Sequence, residues 1–214
     1  MLTKRQLMLD HVKEHATVYI FMIILFLTGI VFGAVIVNSM GFTQKHDLYF
    51  YLERFFEQLS QDQHVETSSI LMDSYLYHIK YILLLFILGL SVIGLPFVWV
   101  LLFSKGLVVG FTVGFIVNQL EWQGLFLSAL SIAPQNLVII PVYIVAGSLS
   151  MIFSLTLLNR LFTRNVQHSI IQPLGKYAVS FAVLLAISFL ASVLETYVAN
   201  YGMKLVVKSL YTML

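Results

Sequence analysis

His11, Glu14 and His15 are spaced as H-x-x-E-H, the pattern in which two histidines one helical turn apart hold zinc and the glutamate acts as base. Here the match lies just ahead of a long apolar run, on a segment too short to enclose a metal or to supply a third ligand. A polar helix at a membrane interface is the expectation for it, with no metal bound. Two further acids stand beside apolar stretches. Glu121 adjoins Trp122, as an interface anchor would. Glu195 lies near the end of the last apolar run, where an acid caps a pore, pairs with Lys204 or, as expected here, snorkels to the surface. The chain has no cysteine, which removes thiolate catalysis, Cys-based metal sites and disulfides together. It has no G-x-S-x-G, no P-loop and no carboxylate pair within an apolar run. No catalytic residue, cofactor or metal is therefore predicted, and the chain reads as a protein that is not an enzyme.

The elements that carry these residues are membrane spans. Hydrophobic residues make up 59% of the 214 and charged residues only 10%, against roughly a quarter charged in an average soluble sequence. About 20 apolar residues cross a hydrocarbon layer of roughly 30 Å. By that measure the spans are Thr17 to Val37, Ile79 to Phe103, Gly106 to Asn118 with extension, a helix within Leu125 to Leu158, and Tyr177 to Ala199. The predicted fold is all-α: one integral membrane domain over 1–214, with about five transmembrane helices. The first run stays as an anchor, because some sixteen mixed residues precede it and no small-x-small cleavage site follows. A formal net charge of +2 is too small to point to nucleic acid.

Basic residues set the orientation. Lys4, Arg5 and Lys13 precede the first span and Arg160, Arg164 and Lys176 precede the last, while Lys105 is expected in a tight turn between the second and third spans; all of these loops read as cytoplasmic. The segment 38–77 is then an extracytoplasmic loop. Within it Leu48, Leu52, Phe55, Phe56 and Leu59 fall on one stripe of an amphipathic helix, flanked by Tyr49, Phe50 and Tyr51. Such a helix lies along the interface or offers its face to a partner protein, and the five stripe residues are the candidate partner-binding surface.

Small residues recur inside the spans. Gly29 and Gly33 form one G-x-x-x-G, Gly106, Gly110 and Gly114 a double one, and Ala178, Ala182 and Ala186 repeat the period. Small residues four apart let helices approach closely in lipid. Spacing leaves open whether these seams close within one chain or between two copies as a homodimer. The fourth run is broken by Pro134, Gln135 and Asn136, which predicts either a short outer piece followed by a full span or one kinked span, with the two amides satisfying freed backbone groups or bonding to a neighbouring helix or chain. Gly94 and Pro96 interrupt the second span more mildly.

Two stretches resemble a known family. YIFMIILFLTGIVFGAVIVN, Tyr19 to Asn38, and APQNLVIIPVYIVAG, Ala133 to Gly147, are similar to the first-span and fourth-span regions of the stage II sporulation protein M family. In the wider family the fourth-span proline is usually followed by His-Gly and, a few residues on, a glutamate; Gln135 and Asn136 stand here, with no acid before Pro141. The departure favours the sporulation branch over any form with an acid-dependent ion role. What the resemblance implies is a scaffold that anchors stage II sporulation proteins P and D, which degrade septal peptidoglycan, in the mother-cell membrane during engulfment of the forespore. The competing class is a permease-like subunit of a transporter, against which the short inner loop from about Asn159 to Lys176 argues.

Overall fold

The computed structural model describes residues 13–60, 67–163 and 171–199. It is helical throughout these segments: α1 (Ala16–Ser39), α2 (Phe42–Ser60), α3 (Thr67–Gly89), α4 (Leu95–Ser131), α5 (Ala133–Thr163) and α6 (Ile171–Leu194), with a π-helical turn at Glu195–Ala199. Five of the helices, all but α2, are long and apolar enough to cross a membrane. Lipid explains their exposed side chains. Ile20, Leu27, Val31, Val100, Val108 and Val183 all point outward, which an aqueous surface would penalise and a hydrocarbon layer accepts.

α1 ends because Met40 takes an extended backbone, and α2 starts where the Gln44 side chain accepts the Gly41 N–H at 3.1 Å. α2 then makes no extended packing with any other described helix. α1 and α4 pack most closely. The Gly29 backbone faces Phe103 and Gly106, and the Gly33 backbone faces Leu107 and Gly110. A methyl group at Gly33 would overlap the Leu107 carbonyl oxygen, and one at Gly110 the Ile30 carbonyl; one at Gly114 would press more mildly on Ala34, at 3.3 Å. The glycine seam therefore closes within the chain. By contrast Ala178, Ala182 and Ala186 face outward, since α6 buries Tyr177, Phe181, Leu184, Ser188 and Ala191 instead.

Three sequence expectations need correction. The turn between the second and third spans is at Leu90–Gly94, where successive i→i+3 bonds reverse the chain (Ser91 to Leu88, Gly94 to Ser91, Leu95 to Val92). Lys105 is accordingly not in a turn. It lies ten residues into α4, roughly 15 Å along the helix at 1.5 Å per residue, near mid-bilayer. Pro96 occupies the first turn of α4, where its missing N–H costs nothing, and any side chain at Gly94 would strike Leu88. A turn built from Leu, Ser, Val, Ile and Gly leaves no polar mark in the hydropathy. The stretch 38–77 is also not all loop, because α2 lies within it and α3 begins at Thr67. Finally, the break expected at Pro134 falls at Ile132: α4 ends at Ser131, α5 starts at Ala133, and Pro134 stands in its first turn, where its missing N–H costs nothing.

The short outer piece lies on the α4 side of that break. At Glu121 α4 kinks, with φ 49 and ψ −125, close to the first central residue of a type II′ turn, a conformation normally left to glycine. Trp122 projects outward and Gly124 packs back on the Ile116 carbonyl. The Asn136 amide donates 2.8 Å to the Ile132 carbonyl, so one of the two amides does complete backbone bonding at the break.

Candidate functional site

α3, α5 and the end of α6 meet in a polar cluster within the apolar bundle. α3 contributes Ser74 and His78, one turn apart and so on one face. α5 contributes Gln135 and Tyr143, two turns apart. The π-helical turn after α6 contributes Glu195, where the wider winding changes which side chain faces the bundle. Ser74 donates its hydroxyl to Glu195. Gln135, with its amide nitrogen turned to the same carboxylate, donates at 2.8 Å to one oxygen and 3.2 Å to the other. His78 is 4% exposed; its Nδ1 lies 2.6 Å from the Tyr143 hydroxyl, and its Nε2 lies 3.6 Å from Glu195 without a hydrogen bond.

Beyond Tyr143 the cluster continues toward mid-bilayer. The Lys105 ammonium lies 4.2 Å from the Tyr77 ring centre, 4.9 Å from Tyr81 and 5.1 Å from Tyr143, and donates to the Tyr77 hydroxyl. The ammonium ion is stabilised here by three ring faces, an arrangement worth about 0.5–1 kcal/mol at an exposed site and about 2 kcal/mol or more where water is absent. Tyr81 stacks obliquely on Tyr143 at 4.4 Å and donates to the Leu101 carbonyl, tying α3 to α4 and α5. A cation and a carboxylate therefore stand at the two ends of one chain of polar contacts, bridged by Tyr143 and His78. If the Tyr143 hydroxyl donates to Nδ1, the ring proton sits on Nε2 and faces Glu195, so one His78 tautomer serves both neighbours.

The sequence-predicted residues fall differently. Of the candidate partner surface, Leu48 is half-buried; Leu52, Phe55, Phe56 and Leu59 lie in α2 by backbone, and their side chains are outside the described residues. Phe42, Phe50 and Tyr51 on the same helix are exposed, and Arg54 covers the Phe50 ring at 4.4 Å. A shallow groove of about 350 Å³ between the start of α2 and Asn118–Gln119 of α4 is lined by Phe42, Lys45, His46 and Tyr49. Gln135 reaches Glu195, whereas Pro134 and Asn136 serve the start of α5. Glu195 is not a surface residue snorkelling outward but the centre of three contacts, and Lys204 lies outside the described residues, as does His11. Among the described residues no three His, Cys, Asp or Glu side chains come together as a metal site would require.

The fold is thus a five-span bundle in which Lys105, Tyr143, His78, Gln135, Ser74 and Glu195 are linked through polar and ring contacts. A family model described as Stage II sporulation protein M matches residues 22–200, from the first span to the end of the π-helical turn. The chain belongs to this family. No curated protein and no solved structure matches it. The match takes in all five spans, α2 and every member of the polar cluster, so both the outer helix and the intramembrane network belong to the part shared with stage II sporulation protein M. Membership carries a role in sporulation, and the five apolar helices make the protein a multi-pass membrane protein.

Sequence reasoning missed the cluster. Ser74 and Glu195 are 121 residues apart, and neither lies in a motif. The one available signal was that Lys105, His78 and Glu195 all fall inside or against apolar runs, where an ionisable group marks a partner by default.

Proposed function

We propose that this protein is a membrane scaffold that recruits peptidoglycan-degrading enzymes, stage II sporulation proteins P and D, to the mother-cell membrane at the septum and around the forespore during engulfment. The observation that carries the reading is α2. It is held between two spans, on the side opposite the basic N-terminal segment, yet packs along no other described helix and leaves Phe42, Phe50 and Tyr51 uncovered. A plain connector between these two spans needs length but no uncovered aromatic face. Nineteen residues of aromatic-rich helix provide a surface on the side where peptidoglycan is cut.

One observation favours a second reading. The linked Lys105, Tyr143, His78 and Glu195 are the kind of intramembrane groups that a permease-like subunit would use. The two readings separate by variant. In sporulating cells, replacing Phe50 and Tyr51 together with Ser is expected to leave the protein inserted at normal abundance, to abolish co-purification of the two enzymes and to stop membrane migration. Burying an aromatic side chain contributes about 1.5–3 kcal/mol, so losing two weakens a complex by more than about a hundredfold. Arrest by Glu195→Gln with recruitment intact would favour the permease reading instead.

A further inference from the structure

Lys80 lies near the middle of α3, nine residues or roughly 14 Å along the helix from its end at Gly89. It is exposed, and among the described residues it has no hydrogen-bond or ion-pair partner. Its setting is the reverse of that of Lys105, which lies at a similar depth and is enclosed by three tyrosines. A lysine stem reaches only part of the way from mid-bilayer to either surface, and charged side chains within spans face the bundle or a water-filled cavity almost without exception. Something other than lipid must therefore cover Lys80.

The face around it fits a helix. Met72, Leu76, Lys80, Leu83 and Ile87 follow one another at steps of four, four, three and four residues and so form one stripe, all of it exposed. His78, Ile82 and Leu85, on the other side of α3, are buried in the bundle. This span is also the least buried of the five, at 17%. A second copy of this chain does not suit the stripe: a two-fold interface centred on it would bring Lys80 against its own copy and Asp73, two turns away on the same helix, likewise against its own copy, while Glu195 is already engaged by Ser74 and Gln135.

We propose that the Lys80 stripe of α3 is a docking face for the transmembrane helix of another protein, one that carries an aspartate or glutamate near mid-span. The pairing satisfies two charges that lipid cannot solvate, and it fixes register as well as affinity, because only one depth matches Lys80. The inference deepens the scaffold reading and rests on it: recruitment would then use two surfaces, α2 outside the membrane and α3 within it.

The test uses the full-length protein in lipid bilayers with synthetic leucine–alanine transmembrane peptides that carry a single central Glu, Gln or Lys, association being read by fluorescence transfer. The Glu peptide is expected to associate about tenfold more tightly than the Gln peptide, as one interhelical polar contact allows. Lys80→Gln should abolish that preference, and Lys80→Glu should transfer it to the Lys peptide. Since Lys80 faces outward, neither change burdens folding, and peptide-free thermal unfolding of each variant verifies this. Equal association of the Glu and Gln peptides with the unaltered protein would overturn the proposal, as would a Glu preference that survives Lys80→Gln. The peptides are independent of the sporulation enzymes, so failure here leaves the α2 reading standing, while loss of recruitment through α2 leaves the peptide result standing.

Discussion

The end of the bundle at the Leu90–Gly94 turn, read from the basic residues as inner, and the end at Glu121, read as outer, are held together by different physics. On the inner side Tyr177 stacks between Phe86 and Phe153, at 5.0 and 4.5 Å, and donates its hydroxyl to the Phe86 carbonyl at 2.9 Å. Ser150 donates to the Leu85 carbonyl at 2.8 Å and Ser154 to the Ser91 carbonyl at 3.0 Å, both across to α3 and its turn. These are short neutral bonds in a dry, close-packed setting. On the outer side a carboxylate, an imidazole and an ammonium are linked through amide, hydroxyl and ring contacts, His78 Nε2 lacks a bond, Glu121 is held in a glycine-like conformation, and α2 meets the bundle only loosely, across the groove at Asn118–Gln119. The difference teaches that folding is secured on one side of this protein and that the ionisable and uncovered groups are kept for the other.

The largest effect is expected on the inner side. Tyr177→Ala removes three ring contacts and a hydroxyl that serves α3, and should lower stability by about 3–5 kcal/mol, read as denaturant midpoint in detergent. A loss below that of any outer-side variant would break the comparison. Next comes the α1–α4 seam. Gly110→Val drives a branched side chain into the Ile30 backbone and should cost about 3 kcal/mol. The same change at Gly175, where a methyl group meets nothing within 4 Å, should be silent by the same measurement.

On the outer side, Glu195→Leu should cost only about 1 kcal/mol, because polar pairs between membrane helices contribute little on average. Its signature is local: faster amide exchange over 195–199 with the Tyr177 region unchanged. The smallest effect is a gain. Glu121→Gly relieves a conformation that costs a non-glycine residue of order 1 kcal/mol and should raise the midpoint slightly.

Much of this architecture was legible in the sequence and some was not, for physical reasons. Apolar length alone identifies the spans, and four-residue glycine spacing marks a close helix approach, which proved to be Gly29 and Gly33 on Gly106 and Gly110. The same spacing in Ala178, Ala182 and Ala186 marks nothing in the fold, since alanine permits close approach but does not require it, and larger residues fill the α6 contact. The turn at Leu90–Gly94 was hidden because hydropathy reports burial in lipid and not chain direction. The Glu195 cluster was hidden because its members come from three distant helices, and only packing brings Ser74, His78 and Gln135 to one carboxylate and Tyr143 to His78.

The central claim is that α2 is a recruitment surface and not a connector. Hydrogen exchange of the full-length protein in bilayers, with and without the extracytoplasmic domains of the two peptidoglycan-degrading proteins, tests it most directly. The account predicts slowed exchange across Phe42–Ser60 when they are added, with the α1–α4 seam and the Tyr177 region unchanged. Exchange in α2 that is identical in both conditions, while the enzymes still bind the membrane-embedded protein, would contradict it.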